Sequence, residues 1–247
     1  MEESCVIRTE KLVKKYPMGR GELIALHGID ISFRRGEFAG LVGPSGSGKT
    51  TLLNIIGSLD APTSGSAVVL GERVERLSHR RAAELRNRHI GFIFQTFNLL
   101  PVYTAFENVE FPLLLLGMSG DERRRAVMAA LEWVGLADRA RSWPAQLSGG
   151  EGQRVAIARA MVKKPDIVLA DEPTANLDGE NSHNILHTME DLNRQLGTTF
   201  VFSTHDQKVI EHLHRKIVLV DGRVASDEPV AGPTGQTGPT GRTGGRQ

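Results

Sequence analysis

Apolar and polar side chains alternate through residues 5–33, most plainly Ile29, Ile31 and Phe33 against Asp30, Ser32 and Arg34. A period of two marks half-buried strands, and it predicts an antiparallel β edge at the start of the fold. The rhythm then changes. Phe38–Val42, Ile90–Phe94, Ile167–Ala170 and Thr199–Ser203 are short apolar runs, as buried strands of a parallel sheet require. Residues 96–160 carry no strong strand pattern and read as mostly helical. Within them Ser119-Gly-Asp-Glu122 is a capping box, and the helix after it turns Ala126, Val127, Ala130, Leu131 and Val134 inward. Glu151–Val162 is a second long helical pattern. Strand–helix alternation returns over 165–224, where Ile185, Met189, Leu192 and Leu196 form one helix face. The pattern predicts an α/β fold with a parallel-sheet core, an N-terminal antiparallel β edge and an inserted helical arm over about 96–160. The compact domain is expected to span 1–226.

From Asp227 onward Gly232, Gly235, Gly238, Gly241 and Gly244 recur at every third residue, with Pro233 and Pro239 following glycine. A collagen-like triple helix needs many more triplets. Residues 227–247 are therefore expected to be a disordered tail.

Chemistry enters at the end of the Phe38–Val42 run. Gly43-Pro44-Ser45-Gly46-Ser47-Gly48-Lys49-Thr50 follows it, and a helical pattern begins at Lys49. Glycines let the backbone curl so that successive N–H groups face a phosphate chain, and the helix points its positive end at the same place. Lys49 would neutralise β/γ-phosphate oxygens. The Thr50 hydroxyl would hold Mg²⁺, and Thr51 joins the nucleotide-binding set. In a strand–loop–helix context this is a P-loop NTPase core. Asp171-Glu172-Pro173 closes the Ile167–Ala170 run. Neighbouring side chains on an extended strand point in opposite directions. Asp171 is accordingly assigned to the metal and Glu172 to activating or orienting the attacking water.

Composition narrows the classes. The net charge of +1 gives no general electrostatic case for nucleic acid. Within Arg73–His89 the arginines are interspersed with Glu75 and Glu84 and no aromatics interleave, which reads as a solvated helix face. Cys5 is the single cysteine, so no internal disulfide or cysteine-cluster metal site is expected. The acidic N-terminus lacks the apolar core of a secretory signal. The longest apolar stretch, Phe111–Met118, falls far short of the roughly 20 residues that span a bilayer. His183, His187, His212 and His214 read as solvated faces.

With Leu147-Ser148-Gly149-Gly150-Glu151 in view, the chain resembles the ATP-binding-cassette ATPases from about Cys5 to Val224. The resemblance rests on separate motifs in the family's order, and it implies a role for each. Tyr16 would stack on adenine. Gln95 would sense Mg²⁺ and the attacking water. Ser148, Gly149 and Gly150, at a helix start, would meet the γ-phosphate held by an opposite subunit. Asn176-Leu177-Asp178 would cross the dimer interface, and His205 would hold the γ-phosphate. The cofactors implied are ATP and Mg²⁺. The chain departs from the family at Gly152, where glutamine is usual, and at Ala175, where glycine is usual.

Three strings are similar to the lipoprotein-release and macrolide-export branch: residues 91–101, 104–110 and 171–178. That implies a homodimer closed over its nucleotides, peripheral on the cytoplasmic face of the cell (inner) membrane. It also implies an integral-membrane permease docking near Phe97-Tyr103, with Leu99, Leu100 and Tyr103 as leading contacts. A regulatory mechanotransmission ATPase of the cell-division type, moving no cargo, is the alternative.

Overall fold

The computed structural model describes residues 5–19 and 21–230. The predicted antiparallel edge is a four-stranded sheet in the order β2-β1-β4-β5, built from β1 (Cys5–Met18), β2 (Gly21–Arg34), β4 (Ser64–Val69) and β5 (Glu72–Arg73). The second sheet has six strands in the order β10-β9-β3-β8-β7-β6. Its members are β3 (Phe38–Val42), β6 (Ile90–Ile93), β7 (Ile167–Asp171), β8 (Thr199–Thr204), β9 (Arg215–Val220) and β10 (Arg223–Pro229). From β9 to β6 neighbouring strands are parallel, and β10 runs antiparallel to β9.

The central strands are apolar on both faces because both faces are covered. Ile167 and Leu169 point toward α1 (Lys49–Ile56) and the antiparallel sheet, where they pack with Leu52, Ile55, Ile29 and Phe33. Val168 and Ala170, one residue out of phase, point the other way. They join a core made with α3 (Ala105–Leu114), α4 (Gly120–Trp133), α5 (Gly149–Met161), α6 (Gly179–Leu196) and α7 (Gln207–His212).

The helical arm follows its predicted caps. Ser119 and Glu122 form the expected capping box, and Val127, Ala130 and Leu131 are buried beneath α4. Thr104 and Glu107 form another box in front of α3. The basic segment folds as α2 (His79–His89). Arg81 pairs with Glu72 at 2.6 Å and Arg80 with Glu84 at 3.2 Å, so the charge of its first turn is locally matched.

The expected tail boundary moves. Asp227–Pro229 belong to β10, where Arg215 Nη2 lies 2.7 Å from Asp227 Oδ2 and Val230 N donates to His214 O at 2.9 Å. A gain of paired backbone and a two-point guanidinium contact outweigh the glycine-rich composition that follows. The repeated glycines lie in residues 231–247, outside the described residues.

Candidate nucleotide site

Parallel strands deliver their C-terminal ends to one edge of the sheet, where loops from different strands can meet around a ligand. Here the loops after β3, β6, β7 and β8 do so. Tyr16, Ser45, Gly46, Gly48, Lys49, Thr50, Thr51, Gln95, Asp171, Glu172 and His205 line one cleft of about 630 Å³.

The loop after β3 curls as its glycines predict. Gly48 has φ 99°, and a Cβ there would stand 2.7 Å from Ala25 O, so only glycine fits between the loop and β2. Lys49 is almost wholly buried, and its Nζ donates to Gly43 O at 2.6 Å and Pro44 O at 2.9 Å. The lysine thus fixes the loop as well as charging it. Ser47 Oγ is buried without a hydrogen-bond partner. It does not line the cleft, where Ser45, Gly46, Gly48 and Lys49 do, and the backbone N–H groups of that curled loop suit an oxyanion.

Thr50 Oγ1 donates to Asp171 Oδ2 at 3.1 Å across the cleft. Together with Gln95 these are hard oxygen donors, the set that magnesium takes beside phosphates. Glu172 departs from the extended-strand expectation. β7 ends at Asp171, and Glu172 takes φ 46°, a left-handed conformation that costs a side-chain-bearing residue about 1–2 kcal/mol. Its N–H is held by Ser203 O at 2.9 Å. The turn brings both carboxylates into the same cleft instead of onto opposite faces. Glu172 Oε1 lies 2.7 Å from His205 Nδ1, and Thr204 Oγ1 donates to Oε2 at 3.3 Å.

Tyr16 stands at the cleft edge with its OH donating to Asp60 Oδ2 at 2.9 Å. Burial and that carboxylate hold the phenol above its ordinary range. Burial alone would raise Asp60, but hydrogen bonds from Lys14, Tyr16 and the Ala61 amide outweigh it and keep the carboxylate low. The ring is therefore anchored at its polar end, and with the Lys14 ammonium 4.9 Å from its centroid over one face, the opposite face is left to a planar ligand. Leu23 and Ile24 of β2 line the cleft beside it and are exposed. Neither was singled out from sequence, nor were Ala25, His27, Asp221 and Gly222. The available signal was two large apolar residues breaking the polar phase of β2.

Ser148, Gly149, Gly150 and Asp178 do not line this cleft. Ser148 caps α5: its Oγ accepts from Glu151 N at 3.2 Å, and Glu151 Oε2 accepts from Ser148 N at 2.8 Å. The Ser148 backbone amide holds the Glu151 carboxyl below its usual range. Asp178 caps α6, accepting from Asn181 N at 2.8 Å.

Of the side chains expected to dock, Leu100 and Tyr103 are exposed, while Leu99 is half-buried against the core of the arm. A neighbouring groove of about 430 Å³ includes Leu59, Phe92, Phe94, Phe111 and Leu115, with Asn98 as its one member from 97–103. Gly152 lies against Phe97, whose ring would be 3.2 Å from an added Cβ. His183, His187 and His214 are exposed, as expected of solvated faces, but His212 keeps only 13% of its side-chain surface exposed and is held below the ordinary imidazole range by burial and by neighbouring His187.

A parallel sheet with a glycine-rich phosphate loop, paired carboxylates and a helical arm defines a nucleotide-hydrolysing cassette. Residues 26–175 match the family described as ABC transporter, and the chain belongs to that family as an ATP-binding, ATP-hydrolysing subunit. It is 46% identical over 223 residues to the lipoprotein-releasing system ATP-binding protein LolD of Pseudoalteromonas translucida, covering 90% of this chain and 96% of that protein. It is 46% identical to an uncharacterised ABC transporter ATP-binding protein of Thermotoga maritima, covering 87% and 92%. Among solved structures it is similar to the ATP-binding cassette MJ0796, seen as a dimer in a post-hydrolysis state with ADP and Pi. The TM-score is 0.85 with 42% identity, over 92% of this chain and 99% of that one.

Proposed function

We propose that this chain energises an export- or lipoprotein-release-type transporter from the cytoplasmic face of the cell membrane, as a homodimer closed over two nucleotides. The observation that carries the dimer is the split of the site: cradle and carboxylates line one cleft, whereas Ser148, Gly149, Gly150 and Asp178 lie outside it. A second copy supplies them across the interface.

In this reading Tyr16 stacks on adenine and the amides of Gly43–Gly48 with Lys49 bind the phosphates. Thr50, Asp171 and Gln95 would hold Mg²⁺, which would supply neutralisation of the phosphate charge. Glu172 orients the attacking water and takes its proton. His205, engaged with Glu172 through Nδ1, turns Nε2 to the γ-phosphate. Ser148 and the amides at the start of α5 meet that phosphate from the opposite protomer.

The segment Phe97-Tyr103, with Leu100 and Tyr103 exposed, and the neighbouring groove lined by Phe92, Phe94, Phe111 and Leu115 receive a helix of the integral-membrane partner. Arg159 ties this surface to the site, its guanidinium donating to Phe97 O and Asn98 O at 2.6 and 2.5 Å. The similarity to LolD favours cargo release over a purely regulatory ATPase.

The test is affinity capture of the chain from native membranes, followed by identification of the integral protein retained. An export-type permease is expected, and its ATPase stimulation by cargo separates transport from mechanotransmission. Capture of a partner with no cargo response would overturn the transport reading.

A further inference from the structure

Away from the nucleotide cleft, α6 and the junction of α7 with β9 gather imidazoles around one carboxylate. His183, His187 and Glu190 lie on successive turns of α6 and project to one side. His212 ends α7, and His214 precedes β9. His187 Nδ1 is 3.8 Å and His212 Nδ1 4.0 Å from Glu190 Oε2. One ligand atom from each of these three residues lies within 4.8 Å of the others.

We propose that His187, Glu190 and His212 form a binding site for a divalent transition-metal cation, with Zn²⁺ the best match. Two imidazole nitrogens and a carboxylate oxygen are ligands zinc takes with three protein donors and an open fourth position. Bonds of about 2.0–2.1 Å in tetrahedral geometry set ligand atoms roughly 3.4 Å apart. The separations of 3.8 and 4.0 Å then close by small side-chain rotations. His187 is 63% exposed, so it is free to make one.

The surrounding contacts are those a ligand set needs on its far atoms. His212 Nε2 lies 3.3 Å from His183 Nδ1. Donation of the Nε2 proton to His183 leaves the Nδ1 lone pair of His212 toward the cation. His214 Nε2 is 3.6 Å from the other carboxylate oxygen, Glu190 Oε1, close enough for an ion pair when the ring is protonated. Magnesium prefers octahedral oxygen donors, so the nucleotide's cation does not compete for this set.

The location gives binding a mechanical consequence. α6 begins at the Asp178 cap, and α7 begins at the Asp206 cap beside His205. A cation held by His187, Glu190 and His212 would tie these helices together behind the catalytic edge.

The experiment is calorimetric titration of the tag-free full chain with Zn²⁺ in the absence of nucleotide, paired with Co²⁺ titration read by visible absorption. The expected result is uptake of one equivalent in the micromolar range or tighter, a tetrahedral Co²⁺ spectrum, and a rise in thermal midpoint with Zn²⁺. His187→Ala and Glu190→Gln should each weaken uptake at least 10-fold, and His183→Ala or His214→Ala by roughly 10-fold. The exposure of His187 keeps its variant folded, which unchanged ATP affinity verifies. No saturable uptake at about 100 µM Zn²⁺ would overturn the proposal. So would uptake unchanged in a His187→Ala/His212→Ala chain, which would place the cation elsewhere, for example on Glu172 and His205.

Discussion

His205 Nδ1 and Glu172 Oε1 meet at 2.7 Å, joining the turn after β7 to the turn after β8. The pair sits asymmetrically: Glu172 has 15% of its side-chain surface exposed and His205 66%. The carboxylate is the fixed member and the imidazole the accessible one. Glu172→Gln preserves size and a partner for His205 but removes the proton acceptor. Steady-state ATPase should fall by about 10²–10⁴-fold, the range of general-base catalysis, while ATP affinity by calorimetry stays within a few-fold. Undiminished turnover would remove Glu172 from the chemistry.

Ser148 is a helix cap within its own chain and, in the proposed dimer, a phosphate ligand for the other. These roles separate by substitution. Ser148→Ala should cost the monomer about 1 kcal/mol through loss of the cap. Ser148→Asp keeps a good cap and complements the helix dipole, so monomer stability should be retained. Its charge opposes the γ-phosphate, so ATP should no longer drive dimerisation. Light scattering in a Glu172→Gln background is the readout, and ATP-dependent dimers of Ser148→Asp would rule out the cross-interface role.

Arg159 carries the connection between α5 and the segment after Gln95. Phe97 and Asn98 both take left-handed φ values, 58° and 50°, and Arg159 bonds both carbonyls. Burial pulls the guanidinium below its ordinary range, yet it stays charged. Arg159→Met leaves two carbonyls without their charged donor and should destabilise the chain by about 2–3 kcal/mol in chemical denaturation. Arg159→Lys can reach one carbonyl at a time and should recover about half of that.

Much of the fold was legible because it rests on local rhythm. Alternation gave β1 and β2, continuous apolar runs gave β3, β6, β7 and β8, and the Ser119–Glu122 box marked the start of α4. The phosphate loop was legible because its glycines serve local backbone geometry. What escaped depends on side chains meeting across the fold. Asn108 is fully buried and stitches residues 100–104, accepting from Leu100 N and donating to Leu100 O, Tyr103 O and Thr104 O. Nothing in its sequence neighbourhood announces that. The turn at Glu172 needed Ser203, from another strand, to hold its amide. His187 meets Glu190 within α6, but His212 and His214, from the α7–β9 junction, reach Glu190 only after α6 and α7 pack.

Gly152 tests a balance between helix propensity and crowding. Alanine in a helix interior is favoured over glycine by about 0.8–1.0 kcal/mol. Opposing that, the new methyl would sit 3.2 Å from Phe97 Cδ2 and 3.9 Å from Leu99 Cδ1. Phe97 is only half-buried, so its ring can retreat by a few tenths of an ångström. Gly152→Ala should therefore raise stability by about 0.5 kcal/mol in urea denaturation. A loss of stability would mean that the Phe97 position is rigid, and that glycine there is required by the segment after Gln95.

Lys163 makes stability depend on pH in the alkaline range. Burial lowers its ammonium to about 8, and its Nζ donates to Arg86 O at 2.6 Å. The unfolded chain keeps the ordinary lysine value near 10.4. Between about pH 8 and 10.4 the unfolded state therefore binds more protons at this side chain than the folded state does. Stability contributed by this group must rise with pH across that window and be lowest below pH 8, where a buried charge is carried. Lys163→Met removes the charge and keeps the apolar stem. It also removes the donor to Arg86 O, so the offset at pH 7 combines both effects, but the variant's thermal midpoint should fall steadily relative to that of the wild type as pH rises from 8 to 10. A gap that stays constant from pH 7 to 10 would mean that Lys163 titrates alike in both states.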